Sequence, residues 1–271
     1  MTQEAELAIE EIEVSVEAIA QRLREHGSVF AEDEAVLLLE EASDTAELGR
    51  WIERRCAGEP IEHLVGWAEF AGRRILIGEG VFVPRHRTEL LVRIAAVLAG
   101  EAGARPVIVD LCTGSGAIAA VLLDELPGAV VHASDLDARA VRWASANLAH
   151  AASVWHGDLF DALPSILRGA CDVVVANVPY VPTAALRHLP VDAREHEPEL
   201  ALDGGADGLE IARRVLAVAP EWLAPGGSVL FEASERQVTA LCAAAVDAGL
   251  EPRVFRGDDA AVVTARRPAR G

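Results

Sequence analysis

Residues 107–120 read VIVDLCTGSGAIAA, and this stretch decides the fold. An apolar run ends at Asp110, a loop with two glycines follows, and an apolar segment of helical composition comes next. Gly114 and Gly116 allow a tight turn and a close approach of the backbone to a ligand, and with Ala119 they match the G-x-G-x-x-A fingerprint. The order strand, glycine loop, helix therefore predicts a site for a nucleoside-bearing ligand.

Acidic residues near the ends of the predicted strands narrow the choice of ligand. Asp110 directly precedes the loop, where a carboxylate would repel a pyrophosphate but suit a ligand with an amino group and a sulfonium. Asp135 ends the strand AVVHASD, where a carboxylate can accept hydrogen bonds from both ribose hydroxyls. Asp137 is better placed to cap the following helix. Asp158 is placed to reach an adenine amino group, and Leu159 to offer the base an apolar face.

From Pro106 onward, short apolar strands alternate with amphipathic helices. The predicted strands are PVIVDL, AVVHASD, SVWHGD, CDVVVAN, GGSVLFEAS, EPRVF and AAVVTARR. The predicted helices among them include GAIAAVLLDEL, DARAVRWASANLA and LEIARRVLAVAPEWL. This alternation predicts an α/β fold with a Rossmann-like parallel sheet covered by helices on both faces. Ligands of such sheets bind at the carboxyl ends of the strands, where the glycine loop lies.

The residues before this sheet predict two smaller units. Three short helices with apolar stripes come first; Gly27 ends one of them and Asp44 caps another. The segment GWAEFAGRRILIGEGVFVP then alternates apolar and polar residues, which predicts a β-hairpin. We therefore expect a helical domain at 1–64, a hairpin linker at 65–85 and a ligand-binding α/β domain at 86–271.

Composition and charge exclude several classes of function. The chain has a formal net charge of −19 and no lysine, so we expect no direct binding of duplex nucleic acid. No apolar run is long enough for a transmembrane helix, and the acidic start is unlike a secretory signal. The four cysteines form no C-x-x-C pair or zinc pattern. We expect a cytoplasmic protein with reduced thiols and no bound metal.

The segment CDVVVANVPYVP is the second motif with chemical meaning. A buried strand delivers Asn177 to the carboxyl edge of the sheet, followed by Val178, Pro179 and Tyr180. The Asn177 side-chain oxygen and the Val178 carbonyl can accept the N–H bonds of a planar amide or amino nitrogen. Pro179 restricts Val178 to extended geometry, and Tyr180 can stack on the planar group. Such a site promotes methyl transfer from a sulfonium by positioning, without a metal or a strong base.

These motifs, in this order, make the chain similar to the HemK-type glutamine methyltransferases that modify peptide-chain release factors. The resemblance includes EPIEHLVGWAEFAGRRILIGEGVFVPRHRTELLV, VDLCTGSGAIA, NVPY and HEPELALDGGADGLEIARRVLAVAPEWLAPGGSVLFEAS, and so covers nearly the whole chain. It implies a class I methyltransferase sheet, S-adenosylmethionine as methyl donor, and an N-terminal helical domain that recognises the protein substrate. It further implies a glutamine of a release factor as the methyl acceptor, and we expect a monomer.

The resemblance also assigns roles to individual residues. Catalysis would rest on Asn177, Pro179 and Tyr180, and the substrate would contact Asn177, Val178, Pro179 and Tyr180. Two residues of the linker would lie over the cofactor, namely Phe82 and Arg85. Together with the residues argued above, the predicted cofactor contacts are Phe82, Arg85, Asp110, Cys112, Thr113, Gly114, Ser115, Gly116, Asp135, Asp158, Leu159 and Asn177.

Several positions depart from the family pattern. Val178 stands where the family has the first proline of Asn-Pro-Pro-Tyr, and Cys112 where it has a glycine. His86 and Arg87 replace a proline and an acidic residue. Two alternatives stay open: the same chemistry on another planar nitrogen, in a ribosomal protein, a peptide, a small molecule or a base, and a non-catalytic cofactor-binding protein. Glu195, Glu197 and Glu199 make the loop after the tetrapeptide acidic, which favours a basic protein partner.

Overall fold

The N-terminal part of the chain is a small helical bundle. The computed structural model describes residues 15–258 and 260–269, so the first fourteen residues of the predicted helical domain lie outside the described residues. The bundle contains α1 (Val16–Glu25), α2 (Ala31–Glu41), α3 (Thr45–Cys56) and α4 (Ile61–Val65). Asp44 caps α3 as expected, because its side chain accepts the Glu47 N–H at 2.7 Å. Apolar side chains on the facing stripes, including Leu23 and Leu38, form a core of their own.

A β-hairpin connects the bundle to the sheet. Strands β1 (Trp67–Phe70) and β2 (Arg73–Leu76) pair in antiparallel fashion. The Asn147 side chain accepts the Leu76 N–H at 2.8 Å and donates to the carbonyls of Leu76 and Ser115, both at 2.8 Å. One asparagine therefore ties the hairpin to the start of the helix that follows the glycine loop.

The central sheet has seven strands among the described residues, in the order β5-β4-β3-β6-β7-β9-β8. Their bounds are β3 (Val107–Leu111), β4 (Val130–Asp135), β5 (Ser153–His156), β6 (Cys171–Ala176), β7 (Leu223–Ala233), β8 (Glu251–Arg256) and β9 (Ala261–Arg266). The sheet is parallel except for β9, which runs antiparallel to both β7 and β8. Only four residues, 257–260, separate β8 from β9, and a connection of that length permits only an antiparallel return.

Helices cover both faces of the sheet and bury its apolar strands. They are α5 (Glu89–Ala102), α6 (Ala117–Glu125), α7 (Ala138–Leu148), α10 (Glu210–Trp222) and α11 (Val238–Asp247). Two short helices that the sequence did not predict, α8 (Val191–His196) and α9 (Glu199–Leu202), follow the tetrapeptide. None of the helices in the described part of the chain has the length and apolar character needed to cross a membrane. Since β3, β4 and β6 run in parallel, their carboxyl ends meet at one edge, and the predicted site residues gather there.

Candidate active site

A cavity of about 460 Å³ opens at the carboxyl ends of β3, β4 and β6. Most of the residues predicted to bind cofactor or acceptor line it: Phe82, Arg85, Cys112, Thr113, Gly114, Ser115, Asp135, Asp158, Leu159, Asn177, Val178, Pro179 and Tyr180. Two predicted cofactor residues, Asp110 and Gly116, do not line the cavity. Both residues instead fix the course of the loop: Asp110 is bonded to Thr113, and Gly116 packs against α7. The volume is in the range of small-molecule and cofactor sites.

The glycine loop owes its course to backbone conformations that ordinary residues rarely adopt. Gly116 has φ of +82°, and a Cβ there would lie 3.0 Å from the Ala144 Cα, so the loop could not pack against α7 with a larger residue. Cys112 also has a positive φ, +55°, which explains why a glycine suits this position in similar loops. Burial raises the pKa of the Cys112 thiol, so it stays protonated and serves as packing.

Asp135 is fixed by the loop that it faces. Its carboxylate accepts the backbone N–H of Gly114 at 2.9 Å and that of Asp137 at 2.9 Å. These two bonds hold the carboxylate at the end of β4, on the wall of the cavity. Asp137 instead caps α7 by accepting the Arg139 N–H at 2.8 Å, as the sequence predicted.

Asp110 lies under the loop, with no solvent exposure. Its Oδ2 accepts the Thr113 hydroxyl at 2.6 Å, whereas its Oδ1 has no hydrogen-bond partner among the described residues. Burial raises the pKa of Asp110 to about 7. This carboxyl group therefore holds the loop through its hydrogen bond with Thr113, and it is about half ionised near neutral pH.

We predict that Asp110→Asn flattens the pH dependence of thermal stability. In the unfolded chain this carboxyl has an ordinary pKa near 4, whereas in the folded protein its pKa is about 7. The stability that it contributes is thus fully present below about pH 4 and is lost as pH rises through about 7. The unmodified protein should lose more melting temperature between about pH 5.5 and about pH 8 than the asparagine variant does.

Asp161→Asn is the control for this experiment, because Asp161 is an exposed carboxylate on a neighbouring turn. That variant should keep the pH dependence of the unmodified protein. Equal slopes for the Asp110→Asn variant and the unmodified protein would show that Asp110 is ionised throughout this range.

Asp158 has a partner that the sequence did not reveal. Its carboxylate pairs with Arg214 of α10 at 2.6 Å, and both residues line the cavity. Leu159 follows with φ of +48°, and its carbonyl accepts the Ser134 hydroxyl at 3.3 Å. The ion pair and the leucine together form the wall beyond β5. An adenine amino group approaching Asp158 would share the carboxylate with Arg214.

The tetrapeptide is supported from behind by the segment DGGADG, residues 203–208. Gln237 donates to the Tyr180 carbonyl at 2.8 Å. A Cβ at Gly208 would lie 2.2 Å from that same oxygen, so only glycine permits this approach. Val178 is buried and packs into the core under the sheet edge. Residues 203–208 belong to a segment that resembles the family, but the sequence predicts no role for them, because their contact with the tetrapeptide arises only when the chain folds.

The Tyr180 side chain is part of a polar cluster at the acceptor side of the cavity. Its hydroxyl donates to Glu232 at 2.9 Å and accepts from the Arg87 guanidinium. Arg87 Nε donates to the same Glu232 oxygen at 3.0 Å, and Thr88 donates to the other at 2.7 Å. Burial raises the pKa of Tyr180, so its hydroxyl stays protonated at neutral pH. Glu232 and Arg87 were not among the predicted site residues.

A cover formed by residues 183–202 closes the other side of the cavity. Glu197, between α8 and α9, accepts the Arg85 guanidinium at 2.6 Å and the Val83 N–H at 3.1 Å. The Arg85 guanidinium lies 5.1 Å from the centre of the Phe82 ring. Glu197 is buried, so it does not contribute to the acidic surface expected for this loop, whereas Glu195 is exposed.

Comparison with known proteins identifies the fold. Residues 86–190 match the family described as Methyltransferase small domain. The solved structure of ribosomal protein L11 methylase from Lactobacillus delbrueckii subsp. bulgaricus matches with a TM-score of 0.51 at 18% identity, covering 70% of this chain and 82% of that one. A likeness at this level of identity concerns the fold alone. The predicted Rossmann-like class I methyltransferase fold is thereby confirmed.

Curated relatives match the chain at higher sequence identity. A release factor glutamine methyltransferase of Streptomyces coelicolor is 42% identical over 69% of this chain and 66% of its own length. A 4-amino-L-phenylalanine/4-methylamino-L-phenylalanine methyltransferase of Streptomyces pristinaespiralis is 38% identical over 70% of this chain and 66% of its own length. A release factor glutamine methyltransferase of Bradyrhizobium diazoefficiens is 37% identical over 86% of this chain and 81% of its own length. With that identity and coverage, the chain belongs to the release factor glutamine methyltransferase family.

Proposed function

We propose that this protein transfers the methyl group of S-adenosylmethionine to the side-chain nitrogen of a glutamine in the Gly-Gly-Gln loop of a peptide-chain release factor. The protein is an S-adenosylmethionine-dependent methyltransferase. The observation that carries the proposal is the position of the tetrapeptide, since residues 177–180 line the same cavity as the glycine loop. A donor on the loop and an amide on the tetrapeptide would therefore meet within one enclosed space.

The residues on the loop side fit this cofactor. Asp135 presents a carboxylate that is already oriented by two backbone N–H groups, which suits the two hydroxyls of a ribose. Burial raises the pKa of Asp110 to about 7, so a ligand with cationic groups on the loop would favour its charged form, whereas a pyrophosphate would be repelled by that form. When bound, the cofactor supplies a methyl group activated by its sulfonium.

The tetrapeptide, residues 177–180, orients the methyl acceptor. The Asn177 side-chain oxygen and the Val178 carbonyl accept the two N–H bonds of the acceptor, which directs the nitrogen lone pair toward the methyl group. Because the nitrogen gains positive charge as its bond to carbon forms, these two acceptors stabilise the transition state more than the ground state. As the nitrogen–carbon bond forms, the carbon–sulfur bond of the donor would break to leave a neutral thioether, and the methylated nitrogen would lose one N–H proton to water. Tyr180 contacts the planar face of the acceptor, and its buried hydroxyl stays protonated and so does not take this proton.

The rest of the molecule fits a protein substrate. The formal net charge of −19 disfavours phosphate backbones and favours a partner with basic surface around the acceptor. We therefore propose that recognition of duplex nucleic acid plays no part, that the helical domain at 1–64 contributes to substrate recognition, and that the protein acts as a monomer in the cytoplasm, where translation termination takes place.

Incubation with isotope-labelled S-adenosylmethionine and the release factors of the same organism tests the proposal. We expect one added methyl group on the glutamine of the Gly-Gly-Gln loop, measured by mass spectrometry of that peptide. A release factor with alanine in place of this glutamine is the matched control and should take up no label. Label on the alanine form, or on another lysate protein instead of the release factor, would contradict the proposed substrate.

A second candidate is a small aromatic amine, the acceptor named for the Streptomyces pristinaespiralis relative. Such an amine also presents a planar NH2 group, and Arg87, with 43% of its side chain exposed at the cavity, would face the carboxylate of a free amino acid. Adding 4-amino-L-phenylalanine to a parallel reaction separates the two candidates. Methylation of this amine without methylation of a release factor would favour the second one.

A further inference from the structure

Glu232 is a buried carboxylate at the end of β7 whose contacts all lead to the acceptor side of the cavity. Only 3% of the residue is exposed. One oxygen receives the Tyr180 hydroxyl at 2.9 Å and Arg87 Nε at 3.0 Å, and the other receives the Thr88 hydroxyl at 2.7 Å. A buried carboxylate is costly unless it is paired and hydrogen-bonded, and here three donors compensate for it.

These contacts fix the hydrogen bonds of the Tyr180 hydroxyl. Its one proton goes to Glu232, and its oxygen accepts from Arg87. The Arg87 guanidinium also lies 5.8 Å from the ring centre, over the phenol. At the other end of the residue, Gln237 holds the Tyr180 carbonyl. The backbone of Tyr180 is therefore held by Gln237 and its hydroxyl by Glu232 and Arg87, and the Glu232 carboxylate is the group that receives the hydroxyl proton.

We propose that Glu232 is a positioning residue for methyl transfer, which acts by locking the Tyr180 ring in the orientation that receives the planar acceptor. The inference rests on the proposed function in one respect, namely that Tyr180 contacts the acceptor. Glu232 does not line the cavity, so its effect passes through the side chains that it holds, and the proposal assigns this effect to the Tyr180 hydroxyl and not to Arg87 or Thr88. This assignment makes the proposal testable, because removal of the hydroxyl should remove the effect.

A double-mutant cycle measures that dependence. Glu232→Gln keeps the size of the side chain but places an amide beside the Arg87 guanidinium, and we expect it to raise KM for the methyl acceptor about tenfold, which is one lost hydrogen bond of about 1.4 kcal/mol. The dissociation constant for S-adenosylmethionine should change less than about twofold. In a Tyr180→Phe background the same substitution should change KM by less than about threefold.

The control is Glu221→Gln, because Glu221 is an exposed carboxylate that pairs with Arg168 at 2.6 Å, and neither residue lines the cavity. It should leave KM unchanged. Equal effects of Glu232→Gln with and without the Tyr180 hydroxyl would overturn the proposal. It would also be overturned by a loss of S-adenosylmethionine affinity as large as the change in KM.

A second measurement needs no acceptor, because Tyr180 is the only tyrosine of the chain. Labelled tyrosine therefore gives one set of ring signals in an NMR spectrum. Glu232→Gln should shift these signals and accelerate ring flipping at least about tenfold, as expected when a hydrogen bond of about 1.4 kcal/mol is lost; Glu221→Gln should do neither. Unchanged ring signals would refute positioning. Altered ring signals in a protein that methylates no release factor would support positioning and reject the proposed substrate.

Discussion

Asn177→Ala is expected to lower kcat for methyl transfer by about 100- to 1000-fold, comparable to the removal of one group that stabilises transition-state charge. Asn177 directly follows β6 and lines the cavity beside Val178. Without its side-chain oxygen, one N–H bond of the acceptor has no partner as the nitrogen becomes positive. Binding of S-adenosylmethionine should change less than about threefold, because a contact made mainly in the transition state affects kcat.

Three further measurements make this prediction specific. Asn177→Asp keeps an acceptor oxygen at the same position and should retain more activity than the alanine variant. Thr183→Ala, which removes only the bond from this exposed hydroxyl to Asp203, should leave kcat within about twofold. Thermal unfolding of each variant shows whether the fold is intact. An alanine variant with full activity would remove Asn177 from the mechanism.

Asp135→Ala is expected to weaken binding of S-adenosylmethionine by about 100-fold or more, corresponding to about 2.7 kcal/mol. The carboxylate would accept two hydrogen bonds from the ribose, and bonds to charged groups contribute about 1.5–3 kcal/mol. The substitution also leaves the Gly114 and Asp137 backbone N–H groups without the partner that orients the loop. Isothermal titration calorimetry measures the change directly.

Asp137→Ala is the matched control, because it removes a carboxylate two residues away that caps α7. It should lower the free energy of unfolding by about 1 kcal/mol, as the loss of a helix cap does, while affinity for the cofactor changes less than about threefold. If both variants bind the cofactor as tightly as the unmodified protein, the assignment of Asp135 to the ribose is wrong.

Local sequence predicted the parts of the fold that depend on neighbouring residues. The glycine loop, the strands around it and the Asp44 cap follow from turn chemistry and apolar periodicity within about ten residues. The direction of β9 could not be predicted, because apolar alternation identifies a strand but carries no information on its direction. The short helices α8 and α9 were also missed, since each has fewer than two full turns and no long apolar stripe.

Some residues of the candidate site could likewise be predicted from the sequence, and others could not. The positions of Asp135 and Asn177 could be predicted because Asp135 ends β4, Asn177 directly follows β6, and parallel strands end at one edge. Arg214 and Glu232 could not, because their partners Asp158 and Tyr180 are 56 and 52 residues away along the chain. Asp110 was expected to face the ligand, but packing of the loop against α7 places it underneath, bonded to Thr113.

The sequence by itself therefore determined the fold class, the glycine loop and the position of the tetrapeptide that we propose receives the acceptor, because each is encoded in consecutive residues. Only the tertiary structure decided which charges compensate one another: Glu232 with Arg87, Glu197 with Arg85. Burial and pairing arise when distant segments pack together, and they set whether a carboxylate faces the ligand, supports a neighbour or titrates near neutral pH.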